Sequence, residues 1–340
     1  MTIAVIGLGL IGGSVLHAFA RAGHEVCGYD ADPATRAAAR AAAESSPAAR
    51  WRVASSIRDA VAGADVVVVA VPLPAVAAVF DELVDAGYAG LVTDVTSVKE
   101  PVRALAADRL HRVARFIGGH PMAGRETSGF AAADPDLFTG CAWVLCLDAS
   151  TALADWLHLA ALLTESLGAR VVPATAAEHD RAVATISHVP HLLASALAAT
   201  AGANPLAATL GAGSFRDGTR VAASRPELVA AMCGGNAPAV REALDAVLDA
   251  LRQARAALDT ADPITALRPW LQPGHLTRVS WPPAPGTREE LPAHAEALLQ
   301  LGRAGGWITA VAPDRRTVTA VRPTAPIAGE ACRGTVTEAR

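Results

Sequence analysis

Thr2-Ile-Ala-Val-Ile6-Gly7-Leu-Gly9-Leu-Ile-Gly12-Gly13-Ser14 runs from a short β-branched stretch through a glycine turn into a helical stretch. Glycines at the first, third and sixth places of a strand-to-helix turn suit a dinucleotide pyrophosphate. Gly7 allows the tight turn, Gly9 lets a phosphate approach the backbone, and Gly12 lets helix and strand pack closely. The amides of Leu10 and Ile11 then face the phosphates at a positive helix end. The next strand-like run ends in Asp30. A carboxylate there accepts from the ribose hydroxyls and repels a 2′-phosphate, which favours NAD over NADP. Val71 and Pro72, just after the apolar run Asp65-Val-Val-Val-Val-Ala70, join the cofactor-binding set.

Working outward, β-branched runs at 3–6, 25–29, 64–70, 91–93, 115–118 and 142–147 alternate with helical stretches at 11–22, 33–43, 74–86 and 98–107. That rhythm predicts right-handed βαβ units and a parallel sheet, a Rossmann-type α/β domain over residues 1–173. After it come Ala- and Leu-rich runs at 176–201, 225–232 and 237–258 with few strand signals, so residues 174–262 read as an all-helical domain for substrate and dimerisation. Residues 263–340 are Pro-rich; a helix at 292–303 and a β-hairpin at 307–321 are expected within them.

Composition excludes several classes. Of 340 residues, 52% are apolar and 18% charged, enough apolar content for a folded core. A formal charge of -4 leaves no electrostatic footprint for nucleic acid. The start lacks signal-peptide features and no uninterrupted apolar run reaches about 20 residues, so no membrane span is expected. The five cysteines, Cys27, Cys141, Cys146, Cys233 and Cys332, are an odd number at irregular spacing, which fits reduced thiols in a cytoplasmic protein.

Four segments carry candidate chemistry: Thr93-Asp-Val-Thr-Ser97-Val-Lys99, Gly118-Gly-His120-Pro-Met-Ala-Gly124, Glu178-His-Asp180 through Ser187-His188-Val-Pro190-His191, and Ser214-Phe-Arg-Asp-Gly-Thr-Arg220. His120 lies just past a strand, at the sheet edge where open α/β folds bind ligands, and an imidazole there can take a proton from an alcohol. Ser97 ends the preceding strand; its hydroxyl either reaches His120 and the nicotinamide or caps a helix from Val98 in a capping box with Glu100. Ser187 and His191 share a helix face, and Asp180 continues the stripe, held by a bound dicarboxylate or by other core groups. Pro190 should kink that helix and free the Ile186 carbonyl. Arg220 suits a substrate carboxylate or a surface ion pair, with Arg216 the competing clamp. Zinc on His179, His188 and His191 lacks a supporting Cys or acidic ligand, so no metal is expected.

Together these segments closely resemble the prephenate/arogenate dehydrogenase family over residues 1–260. The resemblance implies NAD-dependent oxidative decarboxylation of prephenate to 4-hydroxyphenylpyruvate. His120 is then the base for the ring hydroxyl, and Ser97 orients His120 and the nicotinamide. Ser187, His191, Gly213 and Arg220 form the substrate shell. Two positions depart from the family pattern: Thr96 stands where glycine is usual, and Glu227-Leu-Val-Ala230 lacks an aromatic residue. Arogenate and 4-amino-4-deoxyprephenate are the alternative substrates. A silent NAD-binding sensor is the reading from another class. A β-hydroxyacid dehydrogenase relies on a lysine in the helical domain, and the single lysine here is Lys99. Long Ala/Leu faces such as 237–258 point to a homodimer through the helical domain.

Overall fold

The computed structural model describes residues 1–45, 50–110, 114–125 and 127–324. Its first half is a six-stranded parallel sheet. The strands are β1 (Thr2–Ile6), β2 (Glu25–Tyr29), β3 (Trp51–Val53), β4 (Val66–Val69), β5 (Leu91–Asp94) and β6 (Arg115–Ile117), in the order β3-β2-β1-β4-β5-β6. Helices α1 (Leu10–Arg21), α2 (Pro33–Ser45), α3 (Ile57–Val61), α4 (Leu73–Asp85) and α5 (Glu100–Arg109) connect them. Side chains alternate along β1, so Ile3 and Val5 enter one apolar core and Ala4 and Ile6 the other. The all-valine β4 is buried along its whole length, as a central strand covered on both faces must be. Strand order reverses between β1 and β4, which opens a crevice at their carboxyl ends.

The strand expected at 142–147 forms, but in a second sheet. The chain leaves the first sheet after β6 and starts β7 (Gly119–Pro121), which pairs antiparallel with β8 (Ala142–Cys146). Helix α6 (Leu153–Leu167) follows and leads to β9 (Arg170–Ala174), parallel to β8. The rest of this sheet comes from the far end of the chain. The hairpin expected there is present as β11 (Trp307–Val311) and β12 (Thr317–Pro323), joined by β10 (Pro285–Pro292) and by α14 (Ala295–Arg303). The sheet order is β10-β12-β11-β9-β8-β7. Close packing fastens this unit: a Cβ at Gly302 would sit 1.8 Å from the Pro173 carbonyl oxygen, and Arg303 pairs with Glu178 at 2.7 Å.

Between β9 and β10 lie the helices α7 (Ala176–Val183), α8 (Val189–Gly202), α9 (Pro205–Thr209), α10 (Gly213–Thr219), α11 (Pro226–Gly235), α12 (Ala237–Leu258) and α13 (Pro263–Val279). The kink expected at Pro190 takes the form of a π-turn, Ala184–His188, joining α7 to α8 without a break. A wider turn absorbs the missing proline N–H and re-aims the side chains around it. By length and composition the run Ala176–Gly202 is apolar enough to cross a membrane. Its polar side chains His179 and Asp180 are instead buried and bonded to the first half of the chain.

Candidate functional site

Residues from both halves meet at the carboxyl edge of the first sheet. Thr175 and Glu178 form a capping box at the start of α7. That places His179 and Asp180 one turn in, facing α5 and β7. The Asp180 carboxylate accepts from the backbone N–H of Lys99 at 2.8 Å and of Glu100 at 2.9 Å. These are the opening amides of α5, so a carboxylate from the helical half caps a helix of the nucleotide-binding half. The expected Ser97 capping box is therefore corrected: α5 starts at Glu100 and no side chain of its own segment caps it. Asp180 supplies a full negative charge at that helix end, which a serine hydroxyl does not.

Asp180 also accepts from His179 Nδ1 at 2.8 Å, and His179 Nε2 lies 2.8 Å from His120 Nδ1. Proton positions follow in order. An ionised carboxylate only accepts, so His179 carries its proton on Nδ1 and its Nε2 is an acceptor. His120 must then donate from Nδ1, which leaves its Nε2 with a free lone pair. Burial pushes the His120 imidazole well below the usual histidine range, and the nearby His179 and Lys99 lower it further. Burial likewise lowers His179 despite its carboxylate partner. Burial raises Asp180, but hydrogen bonds from His179 and the two α5 amides outweigh it and hold the carboxyl low. Both rings are thus neutral near pH 7. The buried His188, lowered by burial to about 4, lies behind them with Nδ1 3.2 Å from Asn236 Nδ2, which donates to the Asp180 carbonyl at 2.7 Å.

The glycine turn has the geometry its spacing predicts. Gly7 has φ +97°, and a Cβ there would meet the Ala70 carbonyl oxygen at 2.4 Å. A Cβ at Gly12 would lie 1.8 Å from the Gly7 oxygen. Around Gly9 nothing in the protein comes within 4 Å of the Cβ position, and no side chain caps α1. Leu10 and Ile11 therefore present uncapped helix-start amides beside open space. Asp30 accepts from Leu8 N at 2.7 Å and Asp32 N at 2.8 Å, which fixes its carboxylate at the tip of β2. Val71 and Pro72 lead from β4 into α4, with Val71 against the Gly7 turn. These residues fit a dinucleotide.

The other sequence candidates are placed less uniformly. Ser97 is half-buried in the loop before α5, and no hydrogen bond joins it to His120 among the described residues. Ser97 was expected to orient His120, whose Nδ1 instead meets His179. Ser187 lies in the π-turn, and its carbonyl accepts from His191 Nδ1 at 2.9 Å. Gly213 opens α10 and Arg220 follows it, both exposed and outside the hydrogen-bonded cluster. Asp180 turns toward α5, and the π-turn separates it from Ser187 and His191 along the chain. Sequence reasoning gave no positioning role to His179, Asp180 or Asn236. The findable signal was Thr175-x-x-Glu178, a capping box that sets the next two residues at a helix start. Among the described residues no group of three metal-ligating side chains is arranged to hold an ion.

A family profile described as "Prephenate dehydrogenase, nucleotide-binding domain" matches residues 17–173, and "Prephenate dehydrogenase, dimerization domain" matches 175–272. The chain belongs to the prephenate dehydrogenase family. It is 35% identical to the cyclohexadienyl dehydrogenase of Zymomonas mobilis over 76% of this chain and 89% of that one. It is 34% identical to the prephenate dehydrogenase of Bacillus subtilis over 67% of this chain, and spans 62% of that protein's length. The fold superposes on the prephenate dehydrogenase of Aquifex aeolicus, solved with hydroxyphenyl propionate and NAD+, with a TM-score of 0.73. That pair shares 25% identity over 82% of this chain and 98% of the other. The family match stops at residue 272, before β10–β12 begin.

Proposed function

We propose that the protein oxidatively decarboxylates prephenate to 4-hydroxyphenylpyruvate with NAD. The observation that carries this reading is the chain Asp180–His179–His120, which leaves an unprotonated Nε2 at the carboxyl edge shared with the glycine turn. β5 and β6 are the second and third strands along from β1. Asp94 at the end of β5 accepts from the Gly119 N–H, which ties the His120 segment to that strand end; at about 4.8 Å per strand, the β5 end stands roughly 10 Å from the glycine turn, within a dinucleotide's reach.

Gly7, Gly9, Leu10, Ile11, Gly12, Asp30, Val71 and Pro72 would hold the cofactor, with Ser97 beside its nicotinamide end. NAD, when bound, accepts hydride from the ring carbon bearing the hydroxyl. His120 Nε2 accepts the hydroxyl proton, the ring carboxylate leaves as carbon dioxide, and the ring becomes aromatic. Because His120 is already neutral, no proton need leave it first. The half-buried Ser187 and His191 line the substrate side, and Gly213 and Arg220 complete it against the side-chain carboxylate.

The helical half is proposed to pair with a second copy. Large apolar side chains are exposed along it, among them Leu210, Ile264, Val279 and Trp281, each more than 60% accessible. Such a dimer would cover the α10 segment bearing Gly213 and Arg220. The four described cysteines are free thiols, consistent with a cytoplasmic setting, while Cys332 lies outside the described residues.

The test is NADH formation followed at its absorbance band with prephenate, arogenate and 4-amino-4-deoxyprephenate in parallel. Prephenate should give the highest kcat/KM. NAD binding without turnover of any of the three would refute the enzyme reading in favour of a sensor.

A further inference from the structure

Lys99 is the single lysine in a chain that carries 29 lysines and arginines together. Among the described residues it is also the one buried Lys or Arg, with a side chain 0% exposed. Its ammonium donates to Asp94, to Thr96 Oγ1 at 3.1 Å and to the Gly119 carbonyl at 2.6 Å, so all three protons are used. Asp94 Oδ1 accepts from the Gly119 N–H at 3.1 Å. Gly119, the residue preceding His120, is therefore held at its nitrogen by Asp94 and at its carbonyl by Lys99. Thr96 is fixed in turn by the Asp94 carboxylate and the Val98 carbonyl. Its hydroxyl is thus part of the socket, which accounts for threonine where a glycine would leave Lys99 one acceptor short.

The contacts close on themselves. Lys99 holds Gly119, His120 follows it, the His120 ring meets His179, His179 meets Asp180, and Asp180 accepts the Lys99 backbone N–H. An arginine cannot take this place. Its planar fork is larger and cannot direct three donors tetrahedrally to three oxygens. The socket is tight as well, since a Cβ on Gly118 would stand 3.4 Å from Lys99 Cδ and 3.2 Å from Cys146 Sγ.

We propose that Lys99 is a positioning residue for His120, fixing the peptide that carries the imidazole so that Nε2 meets the substrate hydroxyl; this rests on His120 being the base. The buried positive charge acts in the same sense, because it disfavours a proton on His120 and on His179. With its side chain 0% exposed and its three ammonium protons on protein oxygens, Lys99 has no donor left for substrate or cofactor. Its loss should lower kcat and leave the affinity for both nearly unchanged.

The experiment uses the full chain and a double-mutant cycle with His120→Asn. Removing the charged pair together, as Asp94→Asn/Lys99→Met, avoids leaving one buried charge alone. This variant should bind NAD within threefold of wild type by fluorescence titration, with prephenate KM within threefold and kcat at least 30-fold lower. On the His120→Asn background the same change should cost less than threefold, because the two act as one unit. In protein with 15N-labelled histidine, the His120 ring of Asp94→Asn/Lys99→Met should titrate at higher pH than in wild type. A folded variant with kcat within threefold of wild type, or a full further loss on the His120→Asn background, overturns the proposal while His120 keeps its role. A near-wild-type rate in His120→Asn overturns the base assignment and this proposal together. If the pair variant does not fold, Thr96→Val decides: a threefold or greater drop in kcat, absent on the His120→Asn background, supports the proposal, and no drop overturns it.

Discussion

Replacing Asp180 by asparagine tests the proton order of the site. Asp180 Oδ1 accepts from the Lys99 N–H and from His179 Nδ1, both at 2.8 Å, and Oδ2 accepts from the Glu100 N–H at 2.9 Å, so asparagine leaves one oxygen for three donors. With its oxygen in the Oδ1 place it turns N–H2 against the Glu100 N–H and the ring tautomers stay; with its oxygen in the Oδ2 place, N–H2 faces the Lys99 N–H and His179 Nδ1. In that second orientation the ring nitrogen must become an acceptor, which moves the His179 proton to Nε2. His120 Nδ1 must accept it, so the His120 proton moves to Nε2, the atom proposed to take the substrate proton. Restoring the productive tautomer gives up two ring hydrogen bonds, about 3–5 kcal/mol in a water-poor site. At about 1.4 kcal/mol per decade this lowers kcat by roughly 10²–10⁴, the scale known for an aspartate behind a catalytic histidine in serine proteases. Stability should fall by about 1–3 kcal/mol, because one of the two α5 amide contacts is lost in either orientation. Stopped-flow and steady-state NADH formation, with NAD affinity and urea midpoints measured alongside, check each part. A folded Asp180→Asn protein with the His179 proton on Nε2 by 15N NMR and kcat within threefold of wild type would show that the tautomer of His179 does not govern His120.

Gly9→Ala should fold normally, since the protein leaves that Cβ position open, yet bind NAD at least tenfold more weakly by calorimetry; equal NAD affinity removes the phosphates from this turn. Gly12→Ala should lower the melting temperature as well, because its Cβ collides with the Gly7 carbonyl. His188 should make stability pH-dependent: its folded value is depressed to about 4, so below pH 6.5 the unfolded chain binds the extra proton. The urea midpoint should fall from pH 6.5 toward 4, and His188→Gln should flatten that part of the profile; identical profiles reject the assignment. Ile264→Glu places a charge on the exposed apolar face of α13 and should shift the species seen by analytical ultracentrifugation from dimer to monomer. A wild-type protein that is already monomeric ends the dimer proposal.

The parallel half of the fold was legible because each of its signals is local. Alternation along β1, the glycine turn and the all-valine β4 can each be read within a few residues. In the second sheet only β8 and the β11–β12 hairpin were legible, and the other three strands were not, for physical reasons. β7 is three residues long, β9 contains Pro173, and β10 begins and ends in proline with three adjacent charges between, so none carries a clear period. Their pairing is non-local, and only the assembled sheet makes them strands. At the site, His120 could be found from its sheet edge and Ser187 and His191 from their spacing. His179 and Asp180 could not be assigned a positioning role, because their partners lie on α5 and β7, far off in sequence. The Ser97 cap failed for the same reason: a local hydroxyl fitted the pattern, and a distant carboxylate outcompeted it.

One consequence concerns synthesis. Val171 on β9 pairs with Ile308 on β11, so the strand leading into the helix with His179 and Asp180 has an open edge until nearly the whole chain has emerged. A nascent or truncated nucleotide-binding half would expose that edge to other chains, the situation in which strands add to strangers. Expression of residues 1–173 alone should therefore give aggregates rather than a tractable cofactor-binding fragment, and chaperone dependence should ease only once residue 323 has cleared the ribosome.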